Sequence, residues 1–370
     1  MIERQPHRKS VVALNAVCPY YTMYPLEFPL RVLGEHGRCG EWVIDPFCGR
    51  GTTNFAARLL QMPSMGVDSS PVAVALAQAK LASADADQVV ATARAILNAA
   101  IEPVSVPTGE FWKLAYHHRT LVQLCQLREA MLTDCSSQTR ILLRAIILGA
   151  LHGPRPKGIP SYFSNQAPRT FAPKPGYSVK FWTTHGMVPT DVDVVAIIQA
   201  RAERYLAKSP AYVEGMIQLA DSRESDTFNG IPDARLVVTS PPYYGMRTYL
   251  PDQWLRLWFL GGPDFVEYRQ PLGQLKHTGA KHFSSEMRRV WKNVAGRTTN
   301  DARLVIRYGG IHDRDADPMD VLKASLVDSG WKMVTAKPVP DSDRGRRQVR
   351  QFQANPRKGI TEYDIYCHRA

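Results

Sequence analysis

Apolar positions along this chain fall into two different rhythms. Between Glu41 and Ala82 two short runs, EWVID and SMGVD, each lead through a turn into a helical pattern. Val43 and Ile44 are β-branched and a polar, Gly-rich turn follows, which predicts a buried strand. NFAARLL continues as an amphipathic helix. SMGVD is a second strand, and SSPVAVALAQAKLA a second helix, with Ser69 or Ser70 as cap and Pro71 in the first turn. Strand, Gly loop, helix, strand and helix in that order predict a parallel α/β sheet. Upstream, residues 1–19 are polar without a clear period. In residues 20–40, aromatics and prolines lead into a short helix.

The alternation stops over residues 85–208. Helical periodicity is expected at Gln88–Ala100, Phe111–Leu132, Thr139–Leu151 and Asp191–Leu206. Residues 152–182 hold six prolines, six aromatics and five basic residues. Such a stretch is not expected to be regular over most of its length, and it is too aromatic for a flexible linker; an ordered functional loop is expected. Strands then resume: Ala211–Leu219 weakly, Ala234–Thr239 strongly, then Ala302–Tyr308, Trp331–Pro338 and Tyr363–His368. Helices are expected at 252–260, Ser284–Val294 and Pro318–Ser329. At roughly 100–200 residues per domain, 370 residues allow two or three domains or one with insertions. The boundaries expected are 1–84, an insertion over 85–208, and 209–370.

Hydrophobic residues are 44% and charged residues 22%, as in ordinary globular proteins, which excludes disorder as the main state. No run of about 18 apolar residues is present, so no membrane helix is expected. The polar start MIERQPHRKS gives no expectation of a secretory leader. Six scattered cysteines without a CxxC pair give neither a zinc motif nor a disulfide scaffold, and a reduced, cytoplasmic setting is expected. Forty-six Lys and Arg against thirty-four Asp and Glu leave +12, an excess that favours polyanionic partners, nucleic acid first. The excess is uneven. From Cys135 through Thr190 there is no acid but seven basic residues, and Arg344, Arg346, Arg347, Arg350, Arg357 and Lys358 face only Asp341 and Asp343. Both tracts are of a kind that neutralises phosphates, or simply forms a basic surface.

Three local patterns carry chemistry. In Asp45-Pro46-Phe47-Cys48-Gly49-Arg50-Gly51-Thr52-Thr53, glycines let the backbone approach a ligand between a strand end and a helix start. The loop is no Walker motif, and Asn54 stands where a third glycine of G-x-G-x-x-G would be; alone it reads equally as a tight turn. Asp68 ends the second strand 19 residues beyond Gly49, where nucleoside-binding α/β units place an acid on the ribose hydroxyls. Alone it reads as a helix cap. In Thr239-Ser240-Pro241-Pro242-Tyr243, two prolines fix an extended backbone that donates no hydrogen bonds, so its carbonyls become fixed acceptors. The Ser hydroxyl adds another acceptor and Tyr a flat face, a set suited to holding a planar ring by its exocyclic NH2.

These motifs resemble those of amino-methylating DNA methyltransferases. DPFCGRGTT resembles their cofactor motif, TSPPY their catalytic motif in its N4-cytosine form, and YYTMYPLEFP the element that holds the methionine end of S-adenosylmethionine. The resemblance covers about 20–81 and 211–260. It implies a class I S-adenosylmethionine-dependent methyltransferase fold, a Rossmann-like α/β domain with a seven-stranded, mostly parallel sheet and a largely helical insertion. It implies catalytic roles for Ser240, Pro241, Pro242 and Tyr243. It implies cofactor contacts at Tyr21, Thr22, Asp45, Phe47, Gly49, Gly51, Thr52, Thr53, Asp68, Ser69, Asp221 and Ser222. Family members with this motif order place target recognition between the two motifs, so 152–182 is expected to read DNA. Arg155, Lys157, Arg169 and Lys174 are the expected polar contacts, Tyr162, Phe163 and Tyr177 the stacking side chains; the alternative is a lid over the cofactor. Arg247, Arg256, Arg346 and Arg347 are further candidates.

The implied reaction is methyl transfer to N4 of cytosine in DNA by base flipping, with N6 of adenine as the alternative. An RNA or protein-glutamine methyltransferase, or a catalytically inactive nucleic-acid-binding protein, ranks behind. Ring-carbon methylation needs a Pro-Cys nucleophile, and no cysteine here follows a proline. Neither a metal nor a membrane partner is expected. A restriction endonuclease would be a separate chain, and a monomer or weak dimer of prokaryotic or phage origin is expected. Tyr244, Tyr249 and Trp254 are placed around the base pocket, while Trp254, Trp258 and Phe259, at helical spacing, read equally as core. His152, His185, His277 and His282 stand alone in the sequence.

Overall fold

The computed structural model describes residues 11–20, 24–154, 158–164, 174–245, 252–268, 273–309, 316–339 and 362–370. In chain order a 3-10 turn at Ala13–Ala16 is followed by α1 (Glu27–His36), β1 (Val43–Asp45), α2 (Thr52–Leu59), β2 (Ser64–Asp68) and α3 (Pro71–Leu81). Then come α4 (Ala86–Asn98), α5 (Glu110–Ala115), α6 (His118–Thr133), α7 (Gln138–Ala150), α8 (Pro175–Thr184) and α9 (Val194–Leu206). The chain continues with β3 (Gly215–Leu219), β4 (Ala234–Thr239), α10 (Trp254–Phe259) and α11 (Ala280–Ala295). It ends with β5 (Thr298–Gly309), α12 (Pro318–Leu326), β6 (Trp331–Pro338) and β7 (Glu362–Arg369).

Two compact units emerge. One, Tyr20–Ala77 with Val213–Thr248 and Pro271–Ala370, holds a seven-stranded sheet of order β3-β2-β1-β4-β5-β7-β6. The pairs β3–β2, β2–β1, β1–β4 and β4–β5 are parallel; β7 runs antiparallel to both β5 and β6. This is a Rossmann-like, seven-stranded, mostly parallel α/β sheet, as expected. β1 is buried along its whole length and β4 nearly so, as strands covered on both faces must be. Ile44, Val237, Leu304 and Ile306 pack there with Phe283, Met287 and Trp291 of α11. Arg307 on β5 forks onto Asp364 of β7 at 2.8 and 3.0 Å and lies 4.0 Å from the Phe28 ring centroid, which ties α1 to the sheet.

The other unit, Met1–Pro19 with Gln78–Tyr212 and Tyr249–Gln270, is helical among its described residues. α4 packs on α6, α7 and α9, and α5 on α8. Trp112 lies among Tyr116, Trp254 and Trp258, and its indole N–H donates to the Asp264 carbonyl at 3.0 Å.

Several expected elements are corrected. The single helix over Phe111–Leu132 is two, because Tyr116 turns extended to bury its ring and donate its hydroxyl to Leu151 O at 2.7 Å. Within 152–182 the last part is helical: Pro175 occupies the first turn of α8, where a missing N–H costs nothing. α11 and β5 run longer than expected. α12 stops at Leu326, after which Asp328 adopts a positive φ of 52°. Phe163, expected to stack on a base, is 1% exposed and belongs to the core of the helical unit. Arg256, a candidate for DNA contact, is buried there, donating to Leu148 O and Gln253 Oε1. No helix among the described residues is long and apolar enough to cross a membrane.

Candidate cofactor and catalytic site

The strand order reverses between β1 and β4, and ligands in open α/β sheets bind outside the carboxyl ends of the strands at such a switch point. Asp45 ends β1 there and is fully buried. Its carboxylate accepts from the Thr239 hydroxyl at 2.6 Å, the Phe47 N–H at 3.1 Å and the Tyr24 hydroxyl at 3.1 Å. Tyr24 also reaches the Thr53 hydroxyl, which donates to Val238 O at 3.1 Å. One carboxylate thus joins the ends of β1 and β4 to the start of α2 and the segment before α1. Burial raises the Asp45 pKa against these hydrogen bonds, and burial beside Asp45 keeps the Tyr24 phenol protonated.

The glycine loop follows. Gly51, at φ 74°, caps α2, and a Cβ there would stand 2.8 Å from the Ala77 backbone. It serves the close packing of α2 on α3. Gly49, at φ 50°, differs: a Cβ there would meet nothing within 4 Å. Its N–H donates to Asp68 Oδ2 at 2.9 Å, and the Ser70 N–H donates to Asp68 Oδ1 at 2.8 Å. Burial lifts the Asp68 pKa to about 6 in spite of those two bonds. Open space over Gly49 beside a carboxylate with lone pairs to spare fits the ribose of a nucleoside cofactor. Phe47 packs edge-on to Trp291 at 6.0 Å, and Thr52 is buried in the first turn of α2. Ser69 lies against Gly273, where a Cβ would approach it to 3.1 Å.

Two expected residues are committed to the protein itself. The Ser222 hydroxyl donates to Pro46 O at 2.6 Å, fastening the segment after β3 to the glycine loop. Both Asp221 oxygens accept from Arg223, which also donates to Glu286 at 2.6 Å. Burial raises the Asp221 pKa, but the Arg223 hydrogen bonds outweigh it and hold it below the usual carboxylate range.

The Ser240-Pro241-Pro242-Tyr243 segment leaves β4 directly. Pro241 is buried, Pro242 exposed, Ser240 half-buried, and the Ser240 hydroxyl makes no hydrogen bond among the described residues. Tyr243 donates its hydroxyl to the buried Glu362 of β7 and meets Tyr308 edge-on at 5.3 Å. The Gly245 N–H donates to His277 Nδ1 at 3.0 Å, and the His277, Tyr244 and Phe283 rings cluster, with His277 6.3 Å from Tyr244 and 5.1 Å from Phe283.

Asp45, Phe47, Gly49, Gly51, Thr52, Thr53, Asp68, Ser69, Asp221, Ser222, Ser240, Pro241, Pro242 and Tyr243 all fall in the sheet unit. Sequence reasoning missed Tyr24, His277 and Glu362 as partners of these residues. Tyr21, Thr22, Arg155, Lys157, Arg169, Arg247, Tyr249, Arg346 and Arg347 lie outside the described residues. In the helical unit, Lys174 precedes α8, and Tyr162 is pressed between Gly153 and the Arg201 guanidinium, 4.6 Å from its ring centroid. Among the described residues no group of His, Cys, Asp and Glu is arranged to hold a metal.

Residues 3–79 match the family model of N6/N4 methylases, described as DNA methylase. No curated protein matches the sequence. Among solved structures, an rRNA methyltransferase, aviRa from Streptomyces viridochromogenes, shares 13% identity at a TM-score of 0.37, covering 98% of this chain and 94% of its own. TrmN from Thermus thermophilus shares 11% at 0.35, covering 93% of this chain, which spans only 48% of that structure. A TehB-like methyltransferase from Corynebacterium glutamicum shares 8% at 0.33, covering 92% and 87%. The matched block, residues 3–79, holds Asp45, the glycine loop and Asp68.

Proposed function

We propose that this protein is a site-specific DNA methyltransferase that methylates the exocyclic N4 of cytosine. The observation that carries this reading is the Ser240-Pro241-Pro242-Tyr243 segment leaving β4 at the switch point, directly after Thr239, whose hydroxyl donates to Asp45. Bound S-adenosylmethionine supplies a sulfonium-activated methyl group. This chain's residues hold the acceptor. An exocyclic amine is a poor nucleophile while its lone pair is delocalised into the ring. Hydrogen bonds from NH2 to the Ser240 hydroxyl and the Pro241 carbonyl turn that lone pair outward. Tyr243 offers its ring to the flipped base, and the contribution is one of positioning and electrostatics without a covalent intermediate. Tyr21, Thr22, Phe47, Thr52, Thr53, Ser69, Asp221 and Ser222 complete the cofactor site in this reading.

The insertion over 85–208 supplies target recognition, with Arg155, Lys157, Tyr162, Arg169 and Lys174 toward DNA and Arg247, Arg346 and Arg347 as further contacts. The net charge of +12 supports a polyanionic substrate. The setting proposed is cytoplasmic.

The experiment is transfer of labelled methyl groups to mixed-sequence duplex DNA, digestion to nucleosides and mass spectrometry, with Ser240→Ala as control. The expected product is N4-methylcytosine, lost in the variant. N6-methyladenine would keep the mechanism and move the base. Label on RNA or protein alone would overturn the DNA assignment.

A further inference from the structure

α8 carries an unusual outer face. Ser178 and Trp182, four residues apart, are fully buried, and the Trp182 ring lies 5.6 Å from Phe111 of α5. Tyr177, Phe181 and His185, also spaced by four, lie one above the next on a different face. Tyr177 is 59% exposed and Phe181 half-buried. The Tyr177 and Phe181 rings are 6.4 Å apart with planes within 23°, and Phe181 and His185 are 4.2 Å apart within 32°. The His185 Nδ1–H donates to Phe181 O at 2.8 Å, which locks the last ring. The solvent face of a helix is ordinarily polar; here it is a ladder of nearly parallel rings.

The surroundings choose the partner. Lys174 and Lys180 are exposed at the start and middle of the ladder, and no Asp or Glu occurs from Cys135 to Thr190. Acids on neighbouring described segments include Glu110 at the start of α5, Asp252 within the field of Lys174, and Asp191, which is held by His117 at 3.3 Å and Arg119 at 3.6 Å. Flat faces edged by cations match a base and its phosphate better than the aliphatic side chains of a partner helix. The shared positive charge of this stretch also opposes a second copy of the chain.

We infer that the α8 ladder is a stacking surface for an unpaired base of DNA, with Tyr177 as the outermost ring and Lys180 beside the phosphates. The inference rests on the nucleic-acid reading above and adds a surface that engages opened or single-stranded DNA. Stacking of a base on an aromatic ring is tolerant of sequence, so this surface binds without choosing the site.

The test is fluorescence anisotropy with a fluorescein-labelled mixed-sequence single-stranded oligodeoxynucleotide, its duplex and the RNA of the same sequence. Methyl transfer is measured in parallel. Tyr177→Ala, at an exposed position, leaves the melting temperature unchanged and weakens single-strand binding by about fivefold to about 150-fold, while Tyr177→Phe retains it. Lys180→Ala lowers the salt slope by about one. Wild-type protein that binds and methylates DNA while Tyr177→Ala binds within about twofold of it would overturn the ladder alone. Wild-type protein that neither binds nor methylates DNA would overturn the proposed function and the ladder with it. Tighter binding of RNA would overturn the choice of DNA.

Discussion

The backbone N–H of Gly245 donates to Nδ1 of His277 across 3.0 Å, so an imidazole 32 residues downstream holds the turn that closes the Ser-Pro-Pro-Tyr segment. Gly245 sits at φ 81°, and the His277 ring is steadied by Tyr244 at 6.3 Å and Phe283 at 5.1 Å. A ring nitrogen accepts only when it carries no proton. His277→Leu removes the acceptor, costs about 1–3 kcal/mol of stability, and lowers kcat by about ten- to a hundredfold through misplacement of the loop. His277→Asn keeps an oxygen near the Nδ1 position and restores most of kcat. Steady-state kinetics of the two variants check this; equal losses would leave His277 a packing residue only.

Gly49 and Gly51 share a left-handed conformation and divide the labour of the loop. Gly51→Ala strains φ and drives a methyl against the Ala77 backbone, 2.8 Å away, so a loss of about 3 kcal/mol or more is expected. Gly49→Ala carries only the backbone strain, about 1–2 kcal/mol, because its methyl meets nothing within 4 Å among the described residues. That methyl enters the space assigned to the cofactor, and S-adenosylmethionine affinity falls about tenfold or more. Thermal melts with titration calorimetry separate the two effects. Unchanged cofactor affinity in Gly49→Ala would remove the loop from the site.

The elements around this loop are legible because their signals are local. EWVID, PFCGRGTT and SMGVD each announce a strand or turn within a few residues, and β1, α2 and β2 follow. The break at Tyr116 is not legible, since its cause is a carbonyl 35 residues away at Leu151. α8 hides among prolines because Pro175 reads as a breaker, although a first-turn proline starts a helix equally well. The same division runs through the site. Asp45, Gly49 and Asp68 stand in a motif of recognisable spacing. Tyr24, His277 and Glu362 do not, because each is defined by a partner brought to it by the sheet. Phe163 reads as a stacking residue by composition, yet the fold leaves it only 1% exposed.

Tyr243 and Glu362 form one such pair, 119 residues apart in sequence. The phenol fixes the ring that the proposed mechanism places against the base, and Glu362 is 1% exposed. Tyr243→Phe keeps the ring and removes the donor, leaving the buried carboxylate short of one hydrogen bond; a cost of about 1–3 kcal/mol is expected. Methyl transfer then falls modestly, whereas Tyr243→Ala abolishes it. Glu362→Gln, which still accepts from the phenol, stays close to wild type in kcat. A Phe variant as inactive as Ala would give the hydroxyl, not the ring, the larger role.

Asp68 makes the site sensitive to acid. Burial lifts its pKa from 3.8 to about 6, while the Gly49 and Ser70 N–H groups and the negative charge of Asp45 act against and with that lift respectively. Between about pH 4 and pH 6 the folded chain therefore holds more protons here than the unfolded one, and this group lowers stability as pH rises through that window. Cofactor binding has the opposite slope, since the ionised carboxylate is the better acceptor for ribose hydroxyls. S-adenosylmethionine affinity should rise about tenfold from one unit below that pKa to one unit above it. Asp68→Asn, which does not titrate, should bind weakly at both values and lose the slope. Titration calorimetry of wild type and variant across the window checks this, and a flat wild-type profile would separate Asp68 from the cofactor.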